Sequence, residues 1–351
     1  GAAPARRRFV APPRGQVDPA CFRNPLFDGY AAHRGWMTAA AWPGIDALNA
    51  ASPRPGPRFV AQDGTLLADG LHYETRIATQ GRVATRLENW HDLFNALVWL
   101  RHPAVKSALN ARQCRHIAAM GPQRRNRAQQ ALTQFDECGV IVRVADPALL
   151  PLWDGHCWHE LFVAQAARWR DGGIAVAAVI GHALMEQALA PGRLLVGRCV
   201  VVQGGDDAAC VARVAEAIAA GEILDDPLEL RPLPLAGVPG WHPRQDAAFH
   251  AQADYFRPLR AGRRYPPPLH GAQGRIQGRV GALLQALLRR QVQKRPSCGS
   301  PAKARVSPPG PMFIIPVMLI GSTCRRTPSA SQVWRNRASA SSCSTSCTGP
   351  A

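Results

Sequence analysis

Residues 90–102 read Trp-His-Asp-Leu-Phe-Asn-Ala-Leu-Val-Trp-Leu-Arg-His and run straight into Pro103. Trp90, Leu93, Leu97 and Leu100 recur at the spacing of one face of a helix with about 3.6 residues per turn. His91, Asn95, Val98 and His102 share the other stripe. A helix is therefore expected over 87–100. Pro103, with its fixed φ and missing N–H, suits the first turn of a second helix reaching about Met120.

Working outward, Gly121-Pro122 breaks the chain, and a third helix is expected from about Gln123 to Glu137. Gly139 reads as its left-handed terminator, and Val140–Val144 as a short strand. Asp146-Pro147 opens a helical turn, and 158–170 is amphipathic. Ile174 to Leu189 is apolar nearly all round and reads as a buried helix ended by Pro191-Gly192. Leu194–Val202 is a second strand candidate. Asp206 is placed to cap a helix running to Ala220, and prolines punctuate a closing segment over 227–243. Upstream, Leu71–Ala78 and Arg82–Arg86 around Thr79-Gln80-Gly81 read as a hairpin. Residues 1–60, rich in Pro, Gly and Ala with isolated rings, read as an irregular arm. The fold class expected is mainly α with a few short strands (α+β), as a single globular domain over 61–260.

At 351 residues and 46% hydrophobic, the chain is able to bury a sizeable core. Its formal net charge of +18 would ordinarily point to a nucleic-acid or anionic partner. The distribution argues against that for the domain, because all 24 acidic residues lie at or before Asp254, together with 26 of the 42 basic ones. The body is close to neutral, and the excess is concentrated in residues 255–351. Residues 261–351 therefore read as a basic, acid-free tail, disordered or translated out of frame. Nucleic acid is a partner only if that tail is genuine.

Cys21, Cys114, Cys138, Cys157, Cys199 and Cys210 are scattered without a CxxC pair, which argues against a zinc ribbon or haem attachment and suits a reducing compartment. A cytoplasmic location is expected. The longest apolar runs fall short of the roughly 20 residues that a membrane span needs. No apolar stretch follows Arg6–Arg8 as an export signal would require.

The polar residues set into apolar helices are the candidates for chemistry. His91 with Asn95 one turn on can bind a metal, hold a phosphate or act as an oriented base. They can equally tie the helix to a neighbour by hydrogen bonds, as buried polar groups must. Asp92 points about 100° away from that stripe. His182 and Glu186, also one turn apart, are a candidate metal or acid–base pair, or a self-contained hydrogen bond locking two helices. Asp136 stands at a helix C-terminus, where negative charge opposes the macrodipole, so a partner is expected: Arg124, Arg125 or Arg127 in a salt-bridged helix end, or a ligand. His156-Cys157-Trp158-His159-Glu160 lacks the second His of an HExxH zinc helix, since Val163 stands there. Gly204-Gly205-Asp206-Asp207 lacks both phosphate-loop signatures.

The block 90–99 resembles a family of bacterial proteins defined only as domain-of-unknown-function family 3025. Ala108-Leu109-Asn110, the run Ala131–Gly139 and Gly181-His182-Ala183-Leu184-Met185-Glu186 resemble its further blocks. The likeness spans about 71–241 and implies a domain without an activity or cofactor to carry over. Two readings stay open. In one, His91, Asn95, Asp136, His182 and Glu186 form a buried polar network that fixes helix packing in a scaffold. In the other, the same residues, chiefly His91, Asn95, His182 and Glu186, serve a metal-assisted hydrolase. Ring nitrogens of His91 and His182 within about 5 Å of each other and of a carboxylate, in an accessible pocket, would favour the hydrolase, whereas histidines each sealed and locally bonded would favour the scaffold.

Overall fold

The computed structural model describes residues 9–121 and 123–271. The arm begins in short 3-10 turns at Pro19–Arg23 and Pro25–His33, where the Asp18 and Asn24 side chains accept from backbone N–H groups two residues on. Its rings are anchors. Phe22 lies 5.9 Å from Trp90 and Phe27 5.9 Å from Phe94, so the arm is seated on the first residues of the helix at 90. Helices α1 (Arg34–Thr38) and α2 (Ile45–Ala51) follow.

Strands β1 (Arg58–Ala61) and β2 (Arg82–Thr85) pair in parallel, with α3 (Gly64–Leu67) and α4 (Tyr73–Gln80) between them. The expected hairpin at 71–86 is thus a helix followed by a strand. The alternation of Leu71, Tyr73 and Ile77 with His72, Glu74 and Arg76 stops at Ile77-Ala78, and Gly81, at φ +63°, closes α4 instead of a strand turn.

The helical core is α5 (Trp90–Arg101), α6 (Pro103–Met120) and α7 (Arg127–Cys138). Asn89 caps α5 through the Asp92 N–H, and Asn126 with Gln129 forms a capping box that starts α7 four residues later than expected. Gly139 is extended rather than left-handed. Its requirement is space: a Cβ there would stand 2.1 Å from the Phe135 carbonyl oxygen.

Gly139 opens β3 (Gly139–Val144), a central strand of the larger sheet. After α8 (Leu150–Asp154), a π turn at Glu160–Ala164 and α9 (Ala166–Arg170) replace the single amphipathic helix expected over 158–170. The apolar run from Ile174 then divides into β4 (Ile174–Val179), antiparallel to β3, and the short α10 (His182–Gln187). This corrects the long buried helix expected here; the strand wins because β3 offers it a partner, and the chain turns at Gly181. There the N–H groups of Ile180 and Gly181 both donate to the Gly139 carbonyl, and a Cβ on Gly181 would lie 2.7 Å from the Cys138 backbone. Strand β5 (Val196–Gln203) runs parallel to β3, α11 (Asp207–Ala220) is capped by Asp206 as expected, and β6 (Arg231–Pro234) is antiparallel to β5. The sheet order is β4-β3-β5-β6. The α+β class holds.

Helix α11 packs on α6 and on the sheet, while α7 touches β3, β5, α6 and α10. After α12 (Ala247–His250), residues up to 271 stay on the body. The Tyr255 hydroxyl donates to the Leu195 carbonyl at 2.6 Å, the Tyr265 hydroxyl meets His156 at 2.9 Å, and β7 (Leu269–His270) pairs with the last two residues of β5. The packing therefore continues past the expected end near 260, through residues that the charge count groups with the tail. Residues 272–351, and the reading of them as disordered or out of frame, lie outside the described residues.

Candidate functional site

Helices α5 and α10 lie side by side, and this brings the two polar pairs expected from sequence into one chain of contacts. His91 Nδ1 is 2.9 Å from Glu186 Oε2, and His91 Nε2 is 3.1 Å from His182 Nε2. On the far side of His182, Nδ1 lies 3.9 Å from Asp136 Oδ2, and Asp136 Oδ1 accepts from Lys106 Nζ at 2.6 Å. Carboxylate, imidazole, imidazole, carboxylate and ammonium follow one another across α10, α5, α7 and α6.

Proton counting constrains this chain. A carboxylate cannot donate, so His91 Nδ1 carries the hydrogen shared with Glu186. Burial drives His182 down to about 3, with Asp136 opposing it, so its imidazole is neutral at pH 7. The facing Nε2 atoms of His91 and His182 share a single hydrogen between them. His182 Nδ1 is buried without a hydrogen-bond partner, with the Asp136 carboxylate 3.9 Å away. Burial pushes the Asp136 carboxyl up, but the Lys106 ammonium, which also donates a hydrogen bond to it, leads the groups that outweigh burial and hold it below the ordinary range.

The inner end is closed: the side chains of Lys106 and His182 are 4% and 7% exposed. The outer end is partly open, with His91 at 24% and Glu186 at 17%. Both line a cleft of about 590 Å³ walled by Trp42 and Trp90. The Arg14 guanidinium lies 4.3 Å from the centroid of Trp42 and 4.8 Å from that of Trp90, and it donates to the carbonyls of Trp36 and Ala39.

The other candidates are placed elsewhere. Asn95 leaves the imidazoles and donates to the Tyr73 hydroxyl at 2.9 Å. Asp92 is taken up by Arg86, accepting from its backbone N–H and its guanidinium. His102, on the same stripe as His91, packs edge-on to Tyr30 and is held down at about 4 by burial and by Arg101. The expected arginine partners of Asp136 are engaged otherwise, Arg127 with Asp226 and Arg125 with Thr133; Lys106 takes their place. His156 is bonded to the Arg257 carbonyl and to Tyr265, and Asp206 is the α11 cap.

Sequence reasoning missed Lys106, Tyr73, Glu74 and Asn110. Asn110 donates to Glu74 Oε2 at 2.6 Å, and burial pushes Glu74 up against that bond. A signal was present. Lys106, Asn110 and Gln113 recur at i, i+4 and i+7 of α6 and are all buried, the same pattern as the stripe of α5.

A third donor for a metal is what the arrangement lacks. The carboxylates stand behind the imidazoles, on their Nδ1 sides, and among the described residues no group of three or more His, Cys, Asp and Glu is disposed to hold an ion.

Fold and site together define an α+β domain whose helices are cross-linked by an imidazole–carboxylate chain reaching from a surface cleft to the core. The chain belongs to the family of proteins of unknown function DUF3025, whose model matches residues 57–260. No curated protein and no solved structure matches it. No helix among the described residues is long and apolar enough to cross a membrane.

Proposed function

We propose that the DUF3025 domain acts as a non-catalytic scaffold, in which Glu186, His91, His182 and Asp136, extended by Lys106, clamp four helices into one rigid unit. One observation carries this reading: the two imidazoles turn Nε2 toward each other at 3.1 Å, so His91, the ring nearest the cleft, has both nitrogens occupied. A general base needs a ring nitrogen within hydrogen-bond reach of a substrate proton. A hydrolytic metal needs converging donors and an open position. Neither is offered, and Asn95, the remaining member of the hydrolase set, is turned to Tyr73.

The test uses the full chain with His91→Ala, His182→Ala and the double variant. Urea unfolding is expected to show a coupling between the two positions of about 0.5–3 kcal/mol, as for residues in one bonded network. Phosphoester and carboxylic ester substrates with Mg²⁺, Mn²⁺ or Zn²⁺ are expected to give no turnover. Turnover that Glu186→Gln abolishes without loss of stability would overturn the scaffold reading in favour of the hydrolase.

A further inference from the structure

A second cleft, of about 650 Å³, lies between β5, β6 and the segment after α12. Its floor is apolar, formed by Leu194, Val196, Leu228 and Leu230 among others, while Arg198, Arg257, Arg260 and Arg263 line it as well. Asp254 is the sole carboxylate in that lining among the described residues. None of the four arginines forms an ion pair among the described residues, although Arg112, Arg127, Arg143 and Arg231 are each matched to an aspartate elsewhere. Arg257 donates to the Asp254 carbonyl and Arg263 to that of Leu228; the side chains of Arg198 and Arg260 have no hydrogen bond among the described residues. Like charges gathered in a concave site raise the local concentration of counter-charge. Guanidinium groups suit phosphate oxygens, which they grip through two parallel hydrogen bonds.

We propose that this cleft binds an organic polyphosphate about the size of a nucleoside triphosphate, its phosphates on the arginines and its body on the apolar floor. Four cations against one carboxylate match a multiply charged anion rather than a monocarboxylate. The volume falls within the roughly 300–1,000 Å³ of small-molecule sites. The rings beside the cleft argue against a nucleic-acid strand, which needs open faces on which successive bases stack. Trp158 is covered by Phe162 on one side and approached by His156, while Tyr265 has Arg263 4.5 Å and Arg231 5.3 Å from its centroid.

The experiment titrates the full chain calorimetrically with ATP, inorganic tripolyphosphate, adenosine and a single-stranded oligonucleotide at about 0.15 M salt. Saturable ATP binding is expected, with tripolyphosphate weaker by at least about tenfold and adenosine silent. Arg198→Ala with Arg260→Ala is expected to weaken ATP by at least about tenfold while thermal unfolding stays unchanged, because neither side chain holds anything in the fold. The proposal is overturned if ATP fails to saturate, if it binds equally well to the double variant, if tripolyphosphate matches it, or if the oligonucleotide is preferred and is the ligand lost on substitution.

Discussion

The two clefts are of similar volume and differ in what their charged groups already hold. At the first, Glu186 and His91 line the cleft and bond to each other, and the chain runs inward through His182 to Asp136 and its partner Lys106. At the second, the side chains of Arg198 and Arg260 bond nothing among the described residues, and those of Arg257 and Arg263 donate to carbonyls. Buried polar groups must be partnered within the protein or cost stability, whereas exposed cations are kept soluble by water and stay available. The contrast separates a site that builds the molecule from one that faces outward, and substitutions on each side should behave accordingly.

The largest effect is expected at Lys106. Lys106→Met removes the ammonium bonded to Asp136 and leaves that carboxylate beside a neutral imidazole, which should cost roughly 3 kcal/mol in urea unfolding, the scale for stripping one partner from a buried pair. Adding Asp136→Asn should recover more than half. A loss below about 0.5 kcal/mol would place the first cleft with ordinary surface positions and dissolve the contrast.

Acid should act next. His182 and His102 are held below the ordinary imidazole range, at about 3 and about 4, chiefly by burial. The unfolded chain takes up their protons near the ordinary value of about 6.5, where the native protein does not. Stability is therefore complete above that pH and falls as the pH drops from about 6.5 toward 4, by up to about 1.4 kcal/mol per unit for each histidine. Asp136, held low, adds its loss in the same direction only at more acidic pH. Unfolding free energies measured between pH 4 and 8 check this, and His182→Asn should flatten the slope by about one histidine's share. A slope unchanged in that variant would mean that His182 is not kept neutral by the fold.

How much of this was legible follows from the physics of each stretch. Helices α5, α6 and α11 announce themselves through Trp90, Leu93 and Leu97, through Pro103, and through the Asp206 cap, because periodicity and capping are local properties. The run from Ile174 to Leu189 does not, since continuous apolar sequence suits a buried strand and a buried helix alike; the pairing of β4 with β3 and the tight turn at Gly181 are decided by contacts outside the run. His91, His182 and Glu186 stood out as polar residues in apolar surroundings. Their meeting, across 91 positions for the two histidines, lay beyond any local pattern. Lys106 escaped because a lysine on a helix normally reads as a solvated face.

The charge boundary is a further case of the same limit. The excess of basic residues begins after Asp254, yet Arg257, Arg260 and Arg263 belong to the described body and three of the four cleft arginines come from this stretch. Composition found a change in character that packing does not respect. The smallest predicted effect tests what that stretch is for: Arg198→Ala and Arg260→Ala, singly or together, should shift unfolding free energy by less than about 0.5 kcal/mol, the usual range for surface positions without partners. A gain in stability would be consistent too, because removing like charges from a concave site relieves repulsion. A loss approaching that of Lys106→Met would show that the fold depends on the arginines of the second cleft as much as on the imidazoles of the first, and would leave no charged group there free to hold a ligand.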